Sequence, residues 1–248
     1  MEITHLGNGI VLFEDIIGLS KNETSRFLTN LLSSVKADSY SESNSNLKNS
    51  GGYEFEEMHI GTAPLRYQQL RYKDSAIEDL NYADRLDDTL IQCLIEYCKI
   101  FPTAIETVRW KTNGYIIRYL PNQYIGPHSD CAIPYDSVTG EAISQFPLYN
   151  TITSSIILND EYEGGEVYFR QWGILTKPKP NSVLMYSSSY MGCHEVAPIV
   201  SGERFAYLSW FGHGNLGNEQ NYRSVLNDVQ QIPNNERYPK TVLIGKIK

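Results

Sequence analysis

The sequence lacks the features that mark several large classes of protein. Its 248 residues include only four cysteines, and no two of them stand at C-x-x-C spacing, which disfavours a disulfide framework and a zinc ribbon. No apolar stretch approaches the about 20 residues that cross a bilayer, and the N-terminus has neither the basic start nor the apolar run of a signal peptide. We therefore expect a soluble protein with free thiols in a reducing, cytoplasmic setting.

Positive charge is also scarce. Lys and Arg total 21 against 29 Asp and Glu, which gives a formal net charge of -8. A field of this sign repels nucleic acid and anionic membranes, so we expect neither as a partner. Any anionic ligand must then be held by individual basic side chains. The sequence does not predict the oligomeric state.

The first part of the chain predicts helices that support a later β region. Ser20 and Glu23 stand at capping-box spacing before a run of apolar residues, which predicts an amphipathic helix. A second long helix, broken near Asp87, is predicted for residues 74–100 by apolar residues three and four positions apart, and the pair "FP" ends the pattern. Residues 38–52 predict a surface loop that is rich in Ser and Asn.

The pattern changes after residue 105. Short segments rich in β-branched and aromatic residues then alternate with Gly, Pro, Asn and Asp: "NGYIIRYL", "TITSSIIL", "GEVYFR", "SVLMYS" and "RFAYLSWF". They predict a β-sandwich or jelly roll, and a content of 41% hydrophobic residues can build one large core. We expect a single domain, 1–248, with a supporting region at 1–104, a β core at 105–213 and a C-terminal extension at 214–248. In that extension "KTVLIGKIK" suits either an edge strand or a segment docked on the helices.

The stretch "PHSDCAIP" places His128 one residue before Asp130. Two histidines and one carboxylate are the usual ligands of non-heme Fe(II), so the pair supplies two of the three. Alone it is a weak signal, because this composition produces an H-x-D in about one chain of five. His194 lies between two predicted strands, and a jelly roll brings distant strand ends together. We therefore favour His194 as the third ligand over the remaining histidines, which are His5, His59 and His213.

A zinc site is an alternative. Cys131 and Cys193 adjoin His128 and His194, and two thiolates with two imidazoles would form a structural zinc centre. That arrangement leaves Asp130 without a role. The segment 131–149, which follows the motif, is either a lid over a site or a solvated hairpin insertion.

Arg204 stands ten residues after His194, at the start of a predicted strand. Alternation with a period of two turns Arg204, Ala206 and Leu208 to one face of that strand. If this face lines the barrel interior, the guanidinium needs an anion, since its unpaired burial costs several kcal/mol. A ligand carboxylate would accept a bidentate pair of hydrogen bonds from it. An internal salt bridge to Asp or Glu is the alternative.

Several motifs between Tyr115 and Phe211 occur together in an order that resembles the Fe(II)- and 2-oxoglutarate-dependent dioxygenases, specifically their prolyl 4-hydroxylase-like branch. In "YLPNQYIGPH", Tyr119 precedes the H-x-D motif by nine residues, which is similar to the family's approach to its metal ligands. Trp210 follows the basic residue by six positions, as in the family. The other similar segments are "TITSSIILNDEYEGGEVYF", "KPKPNSVLMY" and "HEVAPIVSGERFAYLSW".

Three positions depart from the family's pattern. Asn122 replaces a turn glycine, and asparagine tolerates the left-handed conformation that such a turn needs. Ile125 stands where the family has an aromatic residue, with Tyr124 displaced by one position, and Ile157 replaces the tyrosine of the family's "YLN". The last two changes alter the pocket wall and therefore bear on the choice of substrate.

The resemblance implies a mainly β protein with flanking helices: a double-stranded β-helix (jelly roll, cupin-like) with N-terminal helices packed on the major sheet. It implies that His128, Asp130 and His194 hold Fe(II). Arg204 would anchor the far carboxylate of 2-oxoglutarate, and Tyr119 would hydrogen-bond the same carboxylate. The family uses O2 to hydroxylate an unactivated C–H bond, and ascorbate is an expected reductant.

The resemblance leaves the substrate open. Peptidyl proline is the first expectation, and a free amino acid or other small metabolite is the alternative. A non-catalytic jelly-roll module that binds a metal or 2-oxoglutarate is the alternative from another class of protein.

Overall fold

Two antiparallel β-sheets form the centre of the protein, and helices cover one of them. The computed structural model describes residues 1–16, 20–34, 37–39, 65–66, 68–70, 77–112, 114–131, 148–214, 222–225 and 228. The helices are α1 (Lys21–Ser34), α2 (Ile77–Ile100) and α3 (Ala104–Thr107). The strands are β1 (Glu2–Gly7), β2 (Ile10–Glu14), β3 (Ala37–Ser39), β4 (Leu65–Arg66), β5 (Gln68–Leu70), β6 (Trp110–Thr112), β7 (Tyr115–Tyr119), β8 (Tyr124–His128), β9 (Leu148–Ile157), β10 (Tyr162–Gly164), β11 (Val167–Phe169), β12 (Ile174–Thr176), β13 (Val183–Ser187), β14 (His194–Val196), β15 (Ile199–Gly202), β16 (Arg204–Gly214) and β17 (Tyr222–Ser224).

The larger sheet has ten strands within the described ranges, and the smaller has five. The larger sheet follows the order β1-β2-β13-β9-β16-β7-β5-β3, with β6 on β16 and β17 on β6. The smaller sheet follows the order β12-β11-β14-β8-β4, while β10 and β15 pair separately. The connections cross repeatedly from one sheet to the other, which is the jelly-roll arrangement that the sequence predicts.

Alternation along the strands gives the larger sheet two apolar faces. On β13, Val183 and Met185 belong to the core shared with the helices, whereas Leu184 and Tyr186 belong to the core between the sheets. The helices contribute a row of apolar side chains to the outer core: Phe27, Leu28, Leu31, Leu86, Leu90 and Leu94. The predicted fold class is therefore confirmed, with the N-terminal helices packed on the major sheet.

The predicted capping box forms at the start of α1. Ser20 Oγ donates to Glu23 Oε2 at 2.7 Å, and the backbone N–H of Glu23 donates to Ser20 Oγ at 3.2 Å. The bond from the Glu23 N–H satisfies one amide group that the first helical turn leaves without a partner, while the Glu23 carboxylate accepts from the Ser20 hydroxyl. The predicted turn residue Asn122 also adopts the left-handed conformation, with φ of 66°.

The predicted break in the second helix is wrong, since α2 runs without interruption from Ile77 to Ile100. Asp87, the residue that suggested the break, faces the larger sheet instead. Its carboxylate pairs with the buried ammonium of Lys111 and accepts a hydrogen bond from the Tyr207 hydroxyl. A polar residue in the middle of the helix therefore attaches the helix to the sheet.

Some predicted segments cannot be compared with the structure. Residues 38 and 39 of the predicted loop belong to β3, and residues 40–52 lie outside the described ranges, as do His59, residues 132–147 and "KTVLIGKIK". Among the helices that are described, none combines the length and the apolar character that crossing a membrane requires.

Candidate metal centre

Neighbouring strands of the smaller sheet place two histidines side by side. His128 ends β8 and His194 begins β14, and the two residues are cross-strand partners whose ring centroids lie 4.4 Å apart. Asp130 follows β8 by two residues, and its Oδ1 lies 3.4 Å from His128 Nε2. One ligand-type atom from each of the three residues lies within 4.8 Å of the other two. The strand register thus gathers two imidazoles and one carboxylate.

Backbone carbonyl groups fix the orientation of both imidazoles. His128 Nδ1 lies 2.8 Å from the carbonyl oxygen of Gly126, and His194 Nδ1 lies 3.0 Å from that of Gly192. A carbonyl oxygen only accepts hydrogen bonds, so each Nδ1 carries the proton and donates it. Nε2 is therefore the nitrogen of each ring that can bind a metal, which is the usual arrangement for a histidine ligand.

The pKa shifts of His194 and Asp130 favour the forms that bind a metal, whereas the pKa shift of His128 favours its protonated form. Burial, assisted by the charge of His128, lowers the pKa of His194 to about 4. Burial alone would raise the pKa of Asp130, but the hydrogen bond from His128 and the charges of both histidines hold it below its usual range. Burial alone would lower the pKa of His128, but its hydrogen bond to Asp130 outweighs this effect and raises that pKa. Neutral imidazole and ionised carboxylate are the metal-binding forms of these side chains.

A hydroxyl group orients the carboxylate. Thr153 Oγ1 on β9 donates to Asp130 Oδ2 at 2.6 Å and lies 2.9 Å from the hydroxyl oxygen of Ser188. Both hydroxyl-bearing residues are buried. Since Oδ2 accepts this bond, Oδ1 is the carboxylate oxygen that faces His128. Thr153 therefore holds Asp130 in one orientation.

Replacement of Thr153 by valine should weaken metal binding by about ten- to a hundredfold, because valine keeps the shape but loses the donor that fixes the carboxylate. The dissociation constant for Mn(II), measured by calorimetry, checks this. Thr153→Ser keeps the hydroxyl and serves as the matched control, for which an affinity near that of the unchanged protein is expected. Equal affinities for all three proteins would contradict the orienting role.

Arg204 lies in the same interior as the histidines. It begins β16 and pairs across the strands with Tyr119 of β7, and its guanidinium carbon lies 5.3 Å from the Tyr119 ring centroid. Arg204 is 3% exposed, and its Nε has no hydrogen-bond partner among the described residues. The structure also gives this guanidinium no ion pair there, so the alternative of an internal salt bridge is not observed. A buried cation without a partner is costly and indicates an anionic ligand.

One cavity of about 270 Å³ between the sheets connects these groups. His128, Asp130, His194 and Arg204 all line it, together with Tyr119. The rest of the wall is largely apolar: Ile117, Ile125, Val167, Leu184, Val196, Ala206 and Leu208, with Ser155, Tyr186 and Trp210. A donor set of two imidazoles and one carboxylate beside an anion-binding guanidinium fits Fe(II) with an acidic cosubstrate.

The remaining histidines and the two cysteines of the zinc alternative either lie outside the group of three ligands or are not described. His5 and His213 are exposed, and the ring of His5 lies 6.3 Å from that of Phe101, so neither lies with the three candidate ligands. Within the described residues, neither Cys131 nor Cys193 belongs to the metal-ligating group. The zinc alternative therefore has no support in this geometry.

Sequence reasoning missed two residues in this site, Thr153 and Tyr186. Thr153 contacts Asp130, and the Tyr186 hydroxyl lies 2.9 Å from His194 Nε2. The alternation along β9 and β13 assigns each side chain to a face. The contact with a ligand residue, however, depends on the pairing of strands distant in sequence, which a single sequence does not reveal.

Comparisons with known proteins agree with this geometry. Residues 114–212 match the family model of the 2OG-Fe(II) oxygenase superfamily. A protein of Acanthamoeba polyphaga mimivirus, described as a "putative prolyl 4-hydroxylase", is 30% identical over 104 residues, which cover 39% of this chain and 43% of that protein. The chain thus matches less than half of that relative's length.

One solved structure agrees on the fold, and a second is similar at a lower score. An oxidoreductase of the 2OG-Fe(II) oxygenase family from Burkholderia pseudomallei aligns with a TM-score of 0.51 and 16% identity over 84% of this chain and 87% of that one. The viral collagen prolyl hydroxylase of Paramecium Bursaria Chlorella virus-1, in its 2OG complex, aligns with a TM-score of 0.49 and 14% identity over 79% of this chain and 92% of that one. The family uses Fe(II), 2-oxoglutarate and O2. Residues 114–212 of this chain therefore match the 2OG-Fe(II) oxygenase superfamily, and a segment of 104 residues is similar to a protein described as a putative prolyl 4-hydroxylase.

Proposed function

We propose that the chain is an Fe(II)- and 2-oxoglutarate-dependent dioxygenase that hydroxylates an unactivated C–H bond. The main support is the buried guanidinium of Arg204, whose Nε has no hydrogen-bond partner among the described residues and which shares one cavity with the group of His128, Asp130 and His194. These three residues would hold Fe(II). When bound, the metal with 2-oxoglutarate and O2 supplies the oxidising power for hydroxylation, and 2-oxoglutarate leaves as succinate and carbon dioxide.

Arg204 and Tyr119 would bind the far carboxylate of 2-oxoglutarate. The planar guanidinium suits bidentate hydrogen bonding to a carboxylate, and burial strengthens such a charge-assisted pair. Burial raises the pKa of Tyr119 to about 12, so its hydroxyl stays protonated and able to donate. The cosubstrate therefore spans the cavity between the guanidinium and the metal-binding group.

The remaining wall of the cavity would exclude water from the reacting groups. Its apolar side chains come from both sheets, and α1 and α2 cover the outer face of the larger sheet. A dry interior strengthens every electrostatic contact with the cosubstrate. We propose that the whole chain, 1–248, forms one domain, because the helices cover the outer face of the sheet that carries Arg204.

Peptidyl proline is the first substrate class to test, which is supported by the similarity to the mimivirus protein. A free amino acid or small metabolite is the second. Incubation with Fe(II), 2-oxoglutarate, ascorbate and O2, with prolyl peptides in one arm and a metabolite extract in the other, should yield succinate and a product about 16 Da heavier. Omission of ascorbate tests its proposed role as reductant. Absence of succinate in both arms would indicate a non-catalytic binding module.

Gly165 is expected to be required for the position of Arg204. A Cβ at this residue would lie 2.9 Å from Arg204 Cδ and 2.7 Å from Ile199 Cδ1, at a φ of +69°. Gly165→Ala should therefore destabilise the protein by about 1–3 kcal/mol, and it should weaken 2-oxoglutarate binding by displacing the arginine stem. Thermal unfolding and 2-oxoglutarate titration of the metal-loaded protein check the two effects.

Gly173→Ala is the matched control for this prediction. Gly173 has a similar φ of +63°, but an added Cβ would meet nothing within 4 Å. The control separates backbone strain, which both variants share, from the contact with Arg204. If both variants bind 2-oxoglutarate equally well, Gly165 does not position the arginine.

A further inference from the structure

The hydroxyl group of Tyr186 occupies the position next to a metal-binding atom. Its oxygen lies 2.9 Å from His194 Nε2, the nitrogen whose lone pair faces the metal position. Because His194 Nδ1 donates its proton to the carbonyl oxygen of Gly192, Nε2 is the acceptor and the tyrosine is the donor. The metal and the tyrosine therefore compete for the same lone pair.

Packing keeps the Tyr186 ring in this place. The side chain is 2% exposed, and its ring contacts Phe169 edge-on at 4.9 Å and His194 edge-on at 4.7 Å. On the neighbouring strand, Tyr186 pairs with Thr153, the residue that orients Asp130. The ring therefore has little freedom to move its hydroxyl out of the site when a metal arrives.

Metal binding removes the acceptor that Tyr186 uses in the structure. Within the described residues, His194 Nε2 is the hydrogen-bond partner that the structure gives to this hydroxyl. A buried hydroxyl that loses its partner is destabilising, so a new acceptor is required nearby. A metal-bound water is a poor acceptor, since one of its lone pairs is bound to the metal and the cation withdraws electron density from the other. The carboxylate and keto oxygens of a 2-oxo acid are strong acceptors.

We propose that Tyr186 is a cosubstrate-binding residue whose hydroxyl changes partner as the site fills. In the structure it donates to His194 Nε2, and with metal and cosubstrate bound it would donate to an oxygen of the 2-oxo acid end of the cosubstrate. The second step rests on the proposed function, whereas the first depends only on the observed hydrogen bond. The metal takes the lone pair of Nε2 from this hydroxyl, and the cosubstrate then accepts its hydrogen bond. The metal is therefore expected to bind before the cosubstrate.

Tyr186→Phe tests both steps through effects of opposite sign. Without the hydroxyl, Nε2 is free in the metal-free protein, so the dissociation constant for Mn(II) alone should fall about threefold. The cosubstrate loses a donor to a charged group, so its dissociation constant from the Mn(II)-loaded protein should rise about tenfold. Calorimetry under anaerobic conditions measures both constants without turnover. A variant that merely disturbs the fold would weaken both steps.

Tyr97→Phe is the matched control. Tyr97 is also a buried tyrosine, with its hydroxyl donating to the carbonyl oxygen of Gly9 at 2.8 Å, and it lies in the core on the helical side of the larger sheet. Both constants should stay unchanged in this variant. An Mn(II) affinity that is equal or weaker in Tyr186→Phe, or an unchanged 2-oxoglutarate affinity, would overturn the proposal. If the unsubstituted protein itself binds Mn(II) but not 2-oxoglutarate, the proposed dioxygenase function fails, while the metal titration still tests the first step.

Discussion

Replacement of Arg204 by methionine is expected to weaken 2-oxoglutarate binding by about a hundredfold while metal binding persists. Loss of one partner from a buried, hydrogen-bonded charge pair costs about 2–5 kcal/mol, and each 1.4 kcal/mol corresponds to a factor of ten. Arg204 lines the cavity, is the proposed anchor of the cosubstrate, and does not belong to the group of metal-ligating atoms. Titration of the Mn(II)-loaded protein with 2-oxoglutarate checks the first effect, and titration with Mn(II) alone checks the second.

The same variant should leave the ligand-free protein as stable or make it more stable. Arg204 is 3% exposed, and its Nε has no hydrogen bond to any residue that the structure describes, whereas methionine fills similar space and needs no partner. Each kcal/mol gained raises the melting temperature by about 2–4 °C in a chain of this size. A gain in stability with a loss of binding is typical of a residue kept for function.

Arg85→Ala provides the control for this experiment. Arg85 forms a partly exposed ion pair with Glu23 between the two long helices, at 2.9 Å. Its loss should change stability by no more than about 1 kcal/mol and leave 2-oxoglutarate affinity unchanged. If Arg204→Met binds 2-oxoglutarate normally, another cation anchors the cosubstrate; if its melting temperature falls sharply, the guanidinium has a structural partner.

The candidate site residues differ in how well the sequence around each of them predicts its position. His128 and Asp130 share one strand end, and Arg204 begins a strand whose alternation fixes its face, so short patterns predict all three. The order of the surrounding motifs identifies His194. That His194 lies beside His128 is predicted through the family resemblance. The reason is that the jelly roll pairs β8 with β14 across 65 intervening residues, from 129 to 193.

The missed features depend on register and side-chain packing. The contact of Thr153 with Asp130 requires a particular pairing of strands, and so does the contact of Tyr186 with His194. A shift of one residue would turn either side chain to the opposite face. The break predicted at Asp87 fails for a related reason. Its partners, Lys111 and Tyr207, come from the sheet, and tertiary contacts overrode the local polar signal.

Asp130→Ala should reduce metal affinity by more than about a hundredfold and abolish turnover. Loss of a residue that merely supports a metal ligand costs about 10–100-fold, and removal of the carboxylate itself should exceed this. The variant also removes the negative charge that offsets the metal cation in a buried site. Calorimetric titration with Mn(II) and assay of succinate release check the two effects. Asp160→Ala, at an exposed ion pair with Lys21, should change neither.

Substitution of Asp130 also distinguishes the proposed iron site from the alternative zinc site. A zinc centre built on thiolates would keep its metal in Asp130→Ala and lose it when Cys131 and Cys193 are both replaced by serine. The proposed iron site predicts the reverse, because neither cysteine belongs to the group of ligand atoms that the structure brings within 4.8 Å. Metal content of the two variants, measured after identical purification, therefore distinguishes the two centres. Retention of metal by Asp130→Ala would show that Asp130 is not a metal ligand. The basis for a dioxygenase would then be lost, because the site would lack the carboxylate of the donor set that suits Fe(II).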